Sequence, residues 1–183
     1  MKKSQLEHVL RAAKEICHDE EFFIIGSQSL HGKYPDLPDE IMISVEVDLI
    51  AKNKPEKTDN LNSIGIESPF HEMYGYYADP VDFKTATLPR DWKNRLVNLK
   101  TTSLSNGAKA YCLEPHDLAI AKLSAWREKD KIFVKFLAEN DIISREKIDM
   151  LIDRVPIKAE EKETLKKRLD LAFNVKKKKP FSP

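Results

Sequence analysis

The chain has 183 residues and carries 31 Lys and Arg against 30 Asp and Glu, a formal net charge of +1. That length suits one compact core with a helical appendage, and the charge balance excludes a global field for capturing nucleic acid or membrane, so any nucleic-acid surface must be local. A charged fraction of 33% and a hydrophobic fraction of 41%, with no apolar run near the ~20 residues of a membrane span, point to a globular protein outside the membrane.

From Ser4 to Ile16 the apolar positions Leu6, Val9, Leu10, Ala13 and Ile16 recur at three and four, which predicts an amphipathic helix. Glu7, His8, Arg11, Lys14 and Glu15 interrupt any signal-peptide core, so the chain is expected in the cytoplasm. Cys17 and Cys112 form neither a disulfide framework nor a thiolate metal cluster. Phe22 to Ile25 is a short continuous apolar run ending at Gly26, as in a strand buried on both faces. Gly26 lets backbone N–H groups approach a phosphate, and the Ser27 hydroxyl can donate to one; a short helix through Gln28 and Leu30 would add a favourable dipole. His31–Pro35 and Leu37–Glu40 read as loop, with a helix start at Asp39 or Glu40, and Lys33 there either reaches a phosphate or is a solvated loop lysine.

In the run from Ser44 to Ile50, Val45, Val47 and Leu49 alternate with Ser44, Glu46 and Asp48. A strand sends Glu46 and Asp48 to one face, roughly 6–7 Å apart at Cα from the rise per residue. Two acids so placed repel, and a divalent cation removes the conflict by accepting oxygens from both; the spacing suits Mg2+ or Mn2+. The plain alternative is a strand with a polar outer face beside an ordinary Gly-Ser turn. Lys52–Lys57 predicts an exposed turn, and Leu61, Ile64 and Ile66 a helical or irregular stretch. Met73–Ala78 predicts an aromatic strand ended by Asp79-Pro80-Val81-Asp82, where Asp before Pro is also turn chemistry. Leu88–Trp92 reads as a turn, Arg95–Leu99 as a strand, and Ala110–Leu113 as another after the Ser105-Asn106-Gly107 turn, giving a mixed sheet of about five strands. Arg90, Lys93 and Arg95 near Trp92 either meet a polynucleotide or form a solvated basic edge.

A helical half starts at Glu114-Pro115, with Leu118, Ala121, Leu123, Ala125 and Trp126 as its apolar face and His116-Asp117 as helix-start capping. The same period runs on through Asp130, Phe133, Val134 and Leu137, which points the Asp130 carboxylate at a core. Such a group must be paired, and Lys122, Arg127 and Lys129 are the nearby cations. Ser144 caps a third helix, and Pro156 separates it from a last one containing Leu165, Leu169 and Phe173. Lys176 to Lys179 read as part of a basic disordered tail. The expected division is a core over 1–113, a helical part over 114–175 packed on it, and a tail over 176–183.

Together, GSQSLHGKYPDLPDE, SVEVDL, ESPFHEMYGYYADPV, TATLPRDWKNRLV and CLEPHDLAIAKLSAWREKD resemble a bacterial family of nucleotidyltransferase-like proteins, similar to the abortive-infection and toxin–antitoxin nucleotidyltransferases. The likeness spans roughly Phe22 to Leu137. The interval of 19 positions between Ser27 and Glu46 is longer than that superfamily's usual one and implies a local insertion around Tyr34–Pro38. The resemblance implies an α/β (α+β) nucleotidyltransferase-like fold with a C-terminal helical bundle. It implies metal-dependent transfer of a nucleoside monophosphate from an NTP to an RNA or protein hydroxyl, with tRNA or a protein as acceptor and a partner protein encoded nearby. Glu46 and Asp48 would hold Mg2+ (or Mn2+), with Asp79 or Asp82 as the third carboxylate, and Gly26, Ser27 and Lys33 would hold the triphosphate. Lys122 would contact a nucleotide phosphate with Asp130 supporting it, against the alternative of a structural ion pair. The competing expectation is a catalytically inactive, antitoxin-like protein of the same fold that binds a nucleotide or a partner.

Overall fold

The computed structural model describes residues 1–34, 36, 38, 41 and 44–174. The helix start at Asp39 or Glu40 and the Lys176–Lys179 tail lie outside the described residues. The chain divides into two compact units, Met1–Thr85 with Leu96–Leu113, and Ala86–Arg95 with the chain from Glu114 onward.

The first unit is a five-stranded mixed sheet with helices against it. Its elements are α1 (Lys3–Cys17), β1 (Glu21–Ile24), β2 (Glu46–Ala51), α2 (Pro69–Tyr74), β3 (Tyr77–Pro80), β4 (Val97–Asn98) and β5 (Lys109–Cys112), in the strand order β3-β2-β1-β5-β4. The β1–β2 and β4–β5 pairs are antiparallel, whereas β1–β5 and β2–β3 are parallel. One buried cluster joins Leu6, Val9, Leu10 and Ala13 of α1 to Phe22 and Ile24 of β1, Val47, Leu49 and Ala51 of β2, and Leu61 of the 3-10 helix Pro55–Ile64. Alternation along β2 therefore turns Glu46 and Asp48 to the opposite face.

Two stretches differ from the sequence expectation. Met73 and Tyr74 close the helix α2, which Ser68 caps by accepting from the His71 N–H at 3.2 Å and Gly75 ends at φ 73°; the strand starts at Tyr77 and includes Asp79. Aromatic β-propensity there yields to a Ser-Pro helix start and a glycine C-cap. Arg95 lies in the 3-10 helix Trp92–Arg95, outside any strand, and β4 is only Val97–Asn98.

The second unit holds α3 (Pro115–Ala125), α4 (Glu128–Glu139), α5 (Arg145–Ile152) and α6 (Ala159–Phe173). The apolar period that runs through Trp126 crosses a break between α3 and α4, where Trp126 takes φ 52°. The Arg168 guanidinium donates to the carbonyls of Leu123 and Ser124 at 2.7 and 2.9 Å and lies 5.4 Å from the Trp126 ring centre, closing the end of α3. Asp117, fully buried, is gripped by both Arg95 Nε and Nη2 at 2.9 and 2.8 Å. Glu114, rather than His116 or Asp117, caps α3 by accepting from the His116 N–H. Burial pushes the Glu114 carboxyl up, but hydrogen bonds from His116 and the Lys147 ammonium bring it down to about 2.

The entry to β1 is tied to the exit of β2 by Asp19. Its carboxylate, 3% exposed, accepts from the N–H groups of Glu21, Asn53 and Lys54 at 3.0, 2.7 and 2.9 Å and from the Asn53 amide at 3.0 Å. Burial opposes ionisation here, and these donors outweigh it, so the Asp19 carboxyl sits below its ordinary value. A depressed folded-state value contributes stability that is complete above the ordinary Asp range, about pH 4, and is lost as the pH falls through the folded value. Asp19→Ala is expected to lower the unfolding free energy at pH 7 by about 2–3 kcal/mol, since it strands backbone donors. Urea titrations at pH 7 and pH 3 check this, with the difference between wild type and variant smaller at pH 3.

Candidate functional site

Register places the site. In the parallel β2–β3 ladder Glu46 lies opposite Tyr77 and Asp48 opposite Asp79, so all four side chains leave one face of the sheet. In the antiparallel β1–β2 ladder Phe23 lies opposite Ile50 and Ile24 opposite Leu49, and beyond the strand end the Ile25 N–H donates to the Asp48 carbonyl at 3.1 Å. Gly26 thereby arrives beside Asp48. A Cβ on Gly26 would stand 1.6 Å from Asp48 Oδ2 and 2.6 Å from Cγ, so the carboxylate occupies the space that any other residue's side chain would need.

Gly26 opens the 3-10 helix Ser27–Gly32. The Ser29 hydroxyl donates to the Ile24 carbonyl at 2.7 Å, and the buried Gln28 amide donates to the Ser44 carbonyl at 3.0 Å. These bonds tie the turn to the end of β1 and to the segment that leads into β2, and leave Ser27, half-buried, at the start of the turn. Lys33, exposed, ends the turn with its ammonium 5.9 Å from the Tyr34 ring centre.

Tyr77 is buried among the carboxylates of the face. Its hydroxyl donates to Glu46 Oε2 at 3.1 Å. Burial, then the hydrogen bond to Glu46, then the negative charges of Glu46, Asp79 and Asp48 push the phenol up to about 12. Three carboxylates thus act on one buried ring. Among the described residues no three His, Cys, Asp or Glu side chains are placed to hold one metal ion between them. The donor set is nonetheless all oxygen, on neighbouring strands and beside a glycine that gives up its side-chain space. Mg2+ is commonly held by one or two carboxylates together with substrate phosphates and water, and these residues fit that mode. Asp82, exposed, accepts from the Lys84 N–H in its own turn.

Lys122 and Asp130 belong to the helical unit, where they meet each other: the ammonium stands 3.3 Å from Asp130 Oδ1. Asp130 is 1% exposed and also accepts from Arg127 Nε at 2.7 Å and the Arg127 N–H at 3.1 Å at the start of α4. Arg95, one of the cations grouped around Trp92, is spent on Asp117 and Asp91, while Lys93 is exposed with its ammonium 5.6 Å from the Trp92 ring centre. A cavity of about 860 Å³ in this unit, lined in part by Arg90, Arg154, Lys158 and Lys162, includes none of the carboxylates above.

Tyr77 is the site residue that sequence reasoning missed. The signal was its parity with Asp79, which has meaning only once the strand is known to begin at Tyr77. For Lys122, the geometry is that of the ion pair. Lys122→Met is expected to cost about 3–5 kcal/mol of stability by leaving a buried carboxylate short of a partner. Asp130→Asn in the same chain should recover part of that loss in thermal and urea unfolding; an unchanged melting temperature in Lys122→Met would refute the pairing.

Comparison with known proteins aligns residues 4–179 with the family described as nucleotidyltransferase of unknown function (DUF6036). No curated protein and no solved structure matches the chain. With almost the whole chain covered, and with a mixed sheet that carries Gly26-Ser27 and the carboxylates of β2, the chain belongs to this nucleotidyltransferase family.

Proposed function

We propose that this chain is a metal-dependent nucleotidyltransferase that moves a nucleoside monophosphate from an NTP to a hydroxyl of RNA or protein. The observation that carries the reading is the convergence of Gly26, Asp48 and Asp79: a Gly-Ser turn whose glycine lies under one carboxylate, which is in register with another. Glu46 and Asp48 on β2, or Asp48 with Asp79 across the ladder, would hold Mg2+ or Mn2+ together with the phosphates, and the ion when bound would neutralise the triphosphate and the departing pyrophosphate. The turn at Gly26-Ser27 offers backbone N–H groups and a hydroxyl to the phosphates, and the β2–β3 face orients the reacting α-phosphate beside the acceptor. The acceptor oxygen forms a bond to the α-phosphorus, the bond to the β-phosphate oxygen breaks, pyrophosphate leaves, and the hydroxyl proton passes to a carboxylate of this face. The likeness to toxin–antitoxin nucleotidyltransferases extends the proposal to tRNA or protein as acceptor and to a partner protein encoded nearby.

Asp48→Asn and Glu46→Gln are each expected to weaken Mg2+-dependent NTP binding by tenfold or more, roughly the loss of one charged ligand interaction. Gly26→Ala should do the same by displacing the Asp48 carboxylate. Calorimetry with each NTP, with and without MgCl2, checks this. Equal affinity in wild type and all three variants, with no metal dependence, defeats the metal site. Metal-dependent binding without release of pyrophosphate over a panel of RNA and protein acceptors would identify an inactive, nucleotide-binding member instead.

A further inference from the structure

Tyr77 has no part in the scheme above, yet it is held with more care than a filler residue needs. Strand register sets it opposite Glu46, and it is 8% exposed. On its other side the His71 ring stands 4.6 Å away, centre to centre, at 60°. His71 is itself fixed: its Nδ1 accepts from the Glu67 N–H at 3.1 Å, so the neutral ring carries its proton on Nε2, and its own N–H donates to Ser68 Oγ. Glu67 reaches that position through left-handed backbone, φ 60°, a conformation that costs free energy in a non-glycine residue.

The phenol is therefore a fixed donor aimed at one oxygen of Glu46. A carboxylate whose Oε2 already receives a hydrogen bond binds a cation through one oxygen more readily than through both, because two-oxygen chelation would crowd the cation against the phenol hydrogen. Small octahedral cations such as Mg2+ favour short single-oxygen contacts, whereas Ca2+ is larger and readily takes carboxylates bidentately.

We infer that Tyr77, braced by His71, is a positioning residue that sets the metal preference of the carboxylate face: its hydrogen bond restrains Glu46 to one-oxygen coordination and so favours Mg2+ over Ca2+. This rests on the metal-site reading above. The measurement is the affinity for α,β-methylene-ATP and α,β-methylene-GTP in MgCl2 and in CaCl2, by calorimetry, on wild type, Tyr77→Phe, Glu46→Gln and the double variant. Wild type is expected to bind more tightly in MgCl2, and Tyr77→Phe to lower the Mg2+:Ca2+ ratio about tenfold, the scale of one hydrogen bond to a charged group. In the Glu46→Gln background the same change should leave the ratio unaltered, since the phenol acts through that carboxylate. A Tyr77→Phe protein with the wild-type ratio, or one whose ratio shifts equally without the Glu46 carboxylate, overturns the inference and leaves the metal site standing. Nucleotide affinity in wild type that is indifferent to either cation removes the metal site and the inference with it. If Tyr77→Phe does not fold, His71→Ala keeps the phenol but loosens it, and the same fall in the ratio is expected; an unchanged ratio there also overturns the inference.

Discussion

The carboxylate face depends on a close approach of backbone to side chain at Gly26. Asp48 Oδ2 fills the volume where a Cβ would stand, and that arrangement follows from the antiparallel register of β1 with β2. A slip of one residue would turn Glu46 and Asp48 into the apolar cluster beneath α1 and bring Val47 and Leu49 to the outer face. Register is held at one end by Asp19, whose four hydrogen bonds join the start of β1 to the turn after β2. At the other end the Ile25 N–H bonds the Asp48 carbonyl. The glycine, the register and the apolar side of β2 form one constraint, because each is satisfied only when the others are.

In the helical unit each buried acid has a cationic or hydrogen-bonding partner at short range: Asp117 has Arg95, Asp130 has Lys122 and Arg127, and Glu114 has His116 and Lys147. Such pairs roughly balance desolvation against attraction, so their role is to specify how the helices join more than to add stability. On the β2–β3 face the strand register puts Asp48 and Asp79 side by side and sets the Tyr77 phenol against Glu46. Like charges on adjacent strands are unfavourable for folding. Acids placed together on a sheet face fit a use for the charge, and the Tyr77 phenol beside them is raised first by burial and then by its hydrogen bond to Glu46 and the neighbouring carboxylates.

Among the described residues no helix is long and apolar enough to cross a membrane. The exposed apolar side chains Ile66, Met73 and Tyr74 lie around α2 in the sheet unit. Tyr74 also joins His8, Phe70 and Tyr76 in a ring cluster, with His8 Nδ1 bonded to the Tyr76 hydroxyl at 2.8 Å, and this packs α2 against α1. The helix that carries His71 is thereby anchored to the sheet unit through aromatic contacts on one side and through Tyr77 on the other.

The amino-acid sequence by itself determined the elements whose signal is local. The three-four periodicity of α1, the continuous apolar run of β1, the alternation of β2, the Gly-Ser turn and the Pro-led start of α3 are each written in neighbouring residues. So was the shared face of Glu46 and Asp48, because a strand's period of two needs no partner to be read. Only the tertiary structure decided what depended on pairing or on competition between local signals. Asp79 is a strand residue beside Asp48 because β3 pairs in parallel with β2, a contact 31 residues apart that no local pattern encodes. Met73 and Tyr74 are helical because a capping serine and a terminal glycine outweigh their strand propensity. Arg95 turns from a strand toward Asp117 because a fully buried carboxylate demands a cation. The role of Tyr77 was invisible for the same reason: a tyrosine shows itself as a hydrogen-bond donor to a carboxylate only when another strand has brought the carboxylate within reach.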